Sequence, residues 1–281
     1  MSGVVAVGID DSVSAAKAAD WATDEAARRN AALRIVRVRE PWASEYPIGR
    51  VGGFEAALTD HCRGMLARAA QRAAARAPGV TAGTALPTGA VVERLLQEST
   101  TADLLVVGGR GMGGFAGLLL GAVGLGLAGR TVCPLVVVRG YTDDQTHVVA
   151  VGVDGSAGSE AALRHAFEEA LLRRSAVRAV YAWTEPAFAS LSGLFFEEKI
   201  TAMRPWLAPW KEKYPDVQVS ESVICRHPVP ALVDASKEAD LIVVGSRGRG
   251  AASSVVLGSV GHGILHRAHC PVMVVTSPGP R

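Results

Sequence analysis

At 281 residues, with 49% hydrophobic and 20% charged residues, the chain has the balance of a folded globular protein and enough length for two ordinary domains, which excludes a disordered chain. Lys plus Arg number 29 against 27 Asp plus Glu and form no basic block, so a nucleic-acid partner has little electrostatic support and none is expected. Cys62, Cys133, Cys225 and Cys270 show no C-x-x-C spacing, and the opening MSGVVAVGIDDS has neither a charged leader nor a cleavable apolar core, so unpaired thiols in a reducing cytoplasm are expected.

In chain order, the run VVAVGI from Val4 predicts a first strand, and SAAKAADWATDEAARR from Ser14 predicts a helix capped by Ser12 or Ser14. LRIVRV from Leu33 is a second strand, FEAALTDHCRGMLARAAQRAAAR a second helix and VTAGTAL a third strand. TGAVVERLLQEST is a third helix, DLLVVGG a fourth strand, and a last helix begins near Gly121 ahead of the strand PLVVV. YTDDQT, residues 141–146, then reads as a polar linker, and the pattern starts again. VVAVGIDDSVSAAKAADWA from Val4 answers to VVAVGVDGSAGSEAALRHA from Val148 at an offset of 144, while ADLLVVGGRG from Ala102 answers to ADLIVVGSRG from Ala239 at 137. The chain is one domain written twice, over residues 1–140 and 147–281. Strands alternating with helices, rich in Val, Ile and Leu, predict in each half a five-stranded parallel sheet covered on both faces, of order 3-2-1-4-5.

The repeat also removes a membrane reading of the uncharged, glycine-spaced stretch after Arg110. The second copy places Arg249, Ser253, Ser254 and His262 in the matching segment, where charge strongly disfavours insertion.

In this topology a ligand belongs beyond the carboxyl ends of strands one and four, where the winding reverses. Gly8 and Gly152 end the first strand of each half, where glycine permits close approach by another backbone or a ligand. Gly108-x-x-Gly111 followed after nine residues by Gly121-Ala122 is matched by Gly245-x-x-Gly248, nine residues, and Gly258-Ser259. The first pair turns the chain over a ligand, and the last glycine opens a helix whose free N–H groups and positive dipole end suit an anion. Alanine at Gly108 or Gly245 is then expected to weaken binding while the fold survives. A dinucleotide fingerprint at Gly109-x-Gly111-x-x-Gly114 fails, since Ser246 stands where its first glycine would recur and it follows the fourth strand; a Walker loop fails because neither copy has Gly-Lys-Ser/Thr.

With these loops, an Asp after strand one and a closing Cys-Pro-x-x-Val-Val, both halves resemble the universal stress proteins in their tandem two-domain form, and the resemblance spans essentially the whole chain. It implies a Rossmann-like, adenine nucleotide alpha hydrolase-like fold in each half and a site for ATP with Mg2+. By the same resemblance Asp10 and Val38 in the first half, and Asp154 and Ala182 in the second, lie around the adenosine. The phosphates fall to Gly108, Arg110, Gly111, Met112, Gly113, Gly114, Gly121, Ala122 and Val123, and to Gly245, Ser246, Arg247, Gly248, Arg249, Gly250, Gly258, Ser259 and Val260. Ala122 departs from the Ser or Thr of the family motif, and Met112 answers to Arg249, so the second site is expected to be the tighter one.

Other readings of the same residues stay open at the level of sequence. Asp10 and Asp154 suit an N-cap as well as a ligand, the glycines suit plain turns, and Arg110 and Arg247 suit either phosphate binding or a solvated surface. His262, His266, His269 and Cys270 have the residue types of a zinc set, but the first copy has Leu125, Gly129, Val132 and Cys133 there, so no metal site is assigned. The loops carry no acid or histidine, so a nucleotide-dependent regulatory protein is favoured, with a slow ATP hydrolase as the alternative and an empty dimerisation module as a third reading. The uncharged fifth strands predict pairing of the two halves along those edges, with a homodimer left open and a downstream protein partner unidentified.

Overall fold

A computed structural model describes residues 3–40, 53–110, 121–141, 144–184, 192–248 and 257–276, with the side chains of residues 192–197 outside the description. The chain divides into two compact units, Met1–Val138 and Arg139–Arg281. Unit one runs β1 (Val4–Gly8), α1 (Val13–Arg28), β2 (Ala32–Val36), α2 (Phe54–Arg76), β3 (Ala82–Ala85), α3 (Val91–Glu98), β4 (Leu104–Gly108), α4 (Ala122–Leu127) and β5 (Leu135–Val138). Unit two runs β6 (Val148–Gly152), α5 (Ala157–Arg173), β7 (Ala176–Trp183), α6 (Ser192–Lys213), β8 (Val219–Cys225), α7 (Pro228–Ala235), β9 (Leu241–Gly245), α8 (Ser259–Arg267) and β10 (Val272–Val275).

In unit one β1 pairs in parallel with β2 (Val4↔Ala32) and β4 (Val5↔Leu104), while β2 pairs with β3 and β4 with β5, giving the expected order β3-β2-β1-β4-β5. Unit two repeats it as β8-β7-β6-β9-β10. Val5, Ala6 and Val7 are consecutive and all buried, as are Val149, Ala150 and Val151. Successive strand residues point to opposite faces, so their joint burial means that helices cover both sides of each sheet. Among the described residues no helix is long and apolar enough to cross a membrane.

The helices start where side chains satisfy their free N–H groups. Ser12 caps α1 by accepting from Ala15 N–H at 3.1 Å, and Ser156 caps α5 by accepting from Ser159 N–H at 3.2 Å. The repeated Ala-Asp-Leu pattern has a structural duty. Asp103 accepts from Val4 N–H (2.7 Å), and Asp240 accepts from Thr146 and His147 N–H (2.7 and 2.8 Å), so each carboxylate pins the start of the first strand to that of the fourth. Ser99 and Ser236 tie the turns before β5 and β10, accepting from Val132 N–H at 3.2 Å and His269 N–H at 3.0 Å.

Candidate functional site

The site of unit two is assembled by three chain reversals at one end of the sheet. β6 ends in Gly152 and continues through Val153 to Asp154; β9 ends in Gly245 and continues through Ser246, Arg247 and Gly248; Gly258 then serves as the N-cap residue of α8. Gly258 N–H donates to Ser246 O at 2.7 Å, which seats the start of α8 against the end of β9. The first intrahelical bond of α8 runs from His262 N–H to Gly258 O at 3.0 Å, so the N–H groups of Ser259, Val260 and Gly261 precede the helical ladder. Together they make a helix N-terminus open to an anion.

These reversals border a cleft of about 550 Å³. Its lining brings together Gly152, Asp154, Ala182, Gly245, Ser246, Arg247, Gly248, Gly258, Ser259 and Val260, all anticipated from the sequence. Arg249 and Gly250 lie outside the described residues. The lining also includes Val153, Ser159, Pro228, Leu232, Val244 and Gly261, which sequence reasoning missed. Gly261 was within reach, as the third residue of a helix opening on Gly258. Pro228 and Leu232 were not, because α7 joins the cleft only through the winding of the sheet. One end of the cleft is apolar, with Val153, Ala182, Pro228, Leu232 and Val244; the other carries backbone N–H groups, hydroxyls and the half-buried Arg247.

Asp154 is positioned by the helix start it precedes. Its Oδ1 accepts from Ser156 N–H at 2.9 Å and from Ser156 Oγ at 2.6 Å, while Ser156 itself caps α5. Asp10 repeats this with Ser12 N–H at 3.0 Å. The capping reading of the two aspartates is thereby corrected: serine is the cap, and each aspartate orients it. A Cβ at Gly248 would stand 2.6 Å from Asp154 Oδ2, so the glycine loop closes down onto this carboxylate.

The four strand-end glycines also sit against helices, which corrects the expectation that alanine at Gly108 or Gly245 would spare the fold. A Cβ at Gly245 would stand 2.6 Å from the carbonyl carbon and oxygen of Gly158, and one at Gly108 would stand 2.8 Å from those of Ser14. At Gly8 it would meet Leu95 at 3.0 Å, and at Gly152 Leu232 at 3.2 Å. A helix therefore packs closely against each of these glycines, through backbone at Gly108 and Gly245 and through a leucine side chain at Gly8 and Gly152.

Unit one shares the frame. Gly121 N–H donates to Gly109 O at 2.9 Å, and Gly121 caps α4, placing Ala122 and Val123 at the helix start. Arg110 is tied by its backbone, donating N–H to Ser14 Oγ (3.1 Å) and accepting from Ser12 Oγ (3.2 Å), and its residue is exposed. Val38 is buried after β2, unlike Ala182, which reaches the cleft of unit two. Gly111, Met112, Gly113 and Gly114 lie outside the described residues.

The histidines of α8 lie apart from this lining. The rings of His262 and His266 lie 4.5 Å apart between centroids, tilted by 38°, and burial, then the nearby His262, Arg139 and Arg267, push His266 below its ordinary pKa. Burial pushes the Cys270 thiol up to about 12, which makes it an inert core group. No group of three His, Cys, Asp or Glu able to hold a metal occurs among the described residues.

A family model described as the universal stress protein family matches residues 1–139 and 146–276. Universal stress protein Rv2005c of Mycobacterium tuberculosis is 36% identical over 282 residues, covering 96% of this chain and 96% of that protein. A universal stress protein of Mycolicibacterium smegmatis is 34% identical over 284 residues, again covering 96% of each. The crystal structure of a universal stress protein from Archaeoglobus fulgidus is similar in fold, with a TM-score of 0.71 at 19% identity over 98% of this chain and 97% of that one.

Proposed function

The chain belongs to the universal stress protein family, and from that premise we propose that it is an ATP-binding regulatory protein whose output is a nucleotide-dependent change of shape or partner affinity. The observation that carries this reading is the polarity of the unit-two cleft, with an apolar end built on Ala182, Pro228, Leu232 and Val244 and an opposite end built on the α8 N-terminus and the glycine loop. An adenine ring suits the first and phosphates suit the second.

The fit rests on two features of the residues themselves. Gly258 leaves the backbone bare at the start of α8, where a phosphate would approach, and the N–H groups of Ser259, Val260 and Gly261 precede the helical ladder beside it. Asp154 would face the ribose, and the N–H groups of Ser259, Val260 and Gly261 would take phosphate oxygens. Unit one would use Asp10, Val38, Gly108, Arg110, Gly121, Ala122 and Val123 in the corresponding roles. Mg2+ would enter with the nucleotide, neutralising phosphate charge.

Binding without efficient turnover is the favoured reading, because the described lining offers a single carboxylate, Asp154, already engaged by Ser156. Isothermal titration of the full chain with ATP and Mg2+ is expected to give saturable heat at millimolar or tighter affinity, with nucleotide recovered intact. Absence of heat and of thermal stabilisation at excess ATP would refute the proposal, and rapid release of phosphate would move the chain to the hydrolase alternative.

A further inference from the structure

The far end of α8 carries a group of basic side chains that the cleft does not use. His262 and His266 lie one helical turn apart with ring centroids at 4.5 Å, and Arg267 follows directly. Arg139, the residue with which unit two begins, joins them: its Nε donates to the carbonyl of Ala268, the C-cap residue of α8, at 3.2 Å. Gly140 then turns with φ +55°, and a Cβ there would fall on the carbonyl of His269. The chain entering unit two is thereby held against the turn between α8 and β10. Histidines are not needed to build this helix, since the counterparts of His262 and His266 at offset 137 are Leu125 and Gly129.

The surroundings of His266 suit only its neutral form. Its Nε2 is buried and has no hydrogen-bond partner among the described residues. A neutral imidazole carries one N–H, whereas the imidazolium carries two and needs an acceptor for each. The groups that act on it, His262, Arg139 and Arg267, are cationic or become so in acid. Of the elements packed against α8, α7 carries only Asp234, engaged by Arg226 and Lys237, and β10 carries no titratable group. The helix dipole favours a cation in the last turn, but burial first, and then the three neighbours, hold His266 below its ordinary value of 6.5. Its contribution to stability is therefore complete above that value and is lost as the pH falls through the lower value of the folded chain.

From this geometry we propose that His266 is a proton-sensitive clasp: neutral, it lets Arg139 close on the end of α8; protonated, it drives Arg139 and the chain entering unit two away from the turn at residues 268–269. The input is acid alone, so the device works without nucleotide.

The test uses the full chain without nucleotide and compares the wild type with His266→Gln, which cannot titrate at that position. At about pH 7.5 the two are expected to exchange the amide hydrogens of residues 139–141 equally fast. At about pH 5.5 the wild type is expected to exchange them about threefold faster or more, and to melt about 2 °C or more below the variant. An acid loss shared equally by both chains, or one that leaves exchange at residues 139–141 equal, would overturn the clasp. NMR titration of the wild-type imidazole supplies a readout that needs no variant: His266 is expected to titrate below 6.5, and to move upward in Arg139→Gln. Titration at or above that value, or one that Arg139→Gln leaves in place, would overturn the proposal as well.

Discussion

At the scale of the residue, the strand-end glycines show how one spacing serves two masters. Gly108 and Gly245 border the loops proposed to hold phosphate, yet a methyl there would meet α1 and α5: at Gly245 the backbone of Gly158, and at Gly108 the hydroxyl of Ser14 at 2.6 Å and its carbonyl at 2.8 Å. A contact of 2.6 Å to carbonyl atoms of Gly158 cannot be relieved by turning a side chain, so the helix itself must move. Gly245→Ala is therefore expected to destabilise the ligand-free chain by about 1–3 kcal/mol, the usual range for overpacking. Urea unfolding without nucleotide measures this directly. A variant as stable as wild type but deficient in ATP binding would restore the reading in which glycine makes room for the ligand.

At the scale of the element, the sequence was most legible where periodicity and caps act locally. The strand runs, the helix from Phe54 to Arg76, and the opening of the last helix of unit one after Gly121 all follow from alternation and punctuation, and the sheet order follows from right-handed winding. The cleft's contributions from α7, and the burial of Ser246, depend on packing between segments far apart in the chain and have no local signature. The paired buried glutamates of α1 and α5 belong to the same class. Glu25 and Glu169 recur at offset 144, are fully buried, and bind Arg29 at 2.6 Å and Arg173 at 3.0 Å one helical turn on. The Arg173 side chain is 7% exposed against 23% for Arg29, so Glu169 is removed from an arginine with less access to water. Glu169→Ala should cost about 3–5 kcal/mol, as for other broken buried pairs, and Glu25→Ala distinctly less. Denaturant unfolding of the two variants provides the comparison, and equal losses would mean that burial of the arginine does not set the penalty.

At the scale of the molecule, duplication has kept one frame and let two sites diverge. Both units hold the last helix against the fourth strand through the same glycine N–H bond, but α8 is nine residues long and opens on Ser259, whereas α4 is six residues long and opens on Ala122. Arg247 lines its cleft half-buried while Arg110 is exposed, and Ser246 replaces Gly109. Ser259 adds a hydroxyl at the helix start of unit two and Arg247 lines the cleft there, while the backbone donors common to both units remain. Both sites are therefore expected to fill at high ATP, with unit two filling first. The Ser259 hydroxyl alone would contribute about 1.5–3 kcal/mol to a charged acceptor, roughly ten- to a hundredfold in affinity, less whatever a replacing water recovers. Two-site titration of the full chain should show the gap in the wild type, a smaller one in Ser259→Ala, and a smaller one again when Ala122→Ser raises the weaker site. Equal affinities in the wild type, or a gap that neither substitution narrows, would show that hydroxyls at the helix N-termini do not set the order of filling.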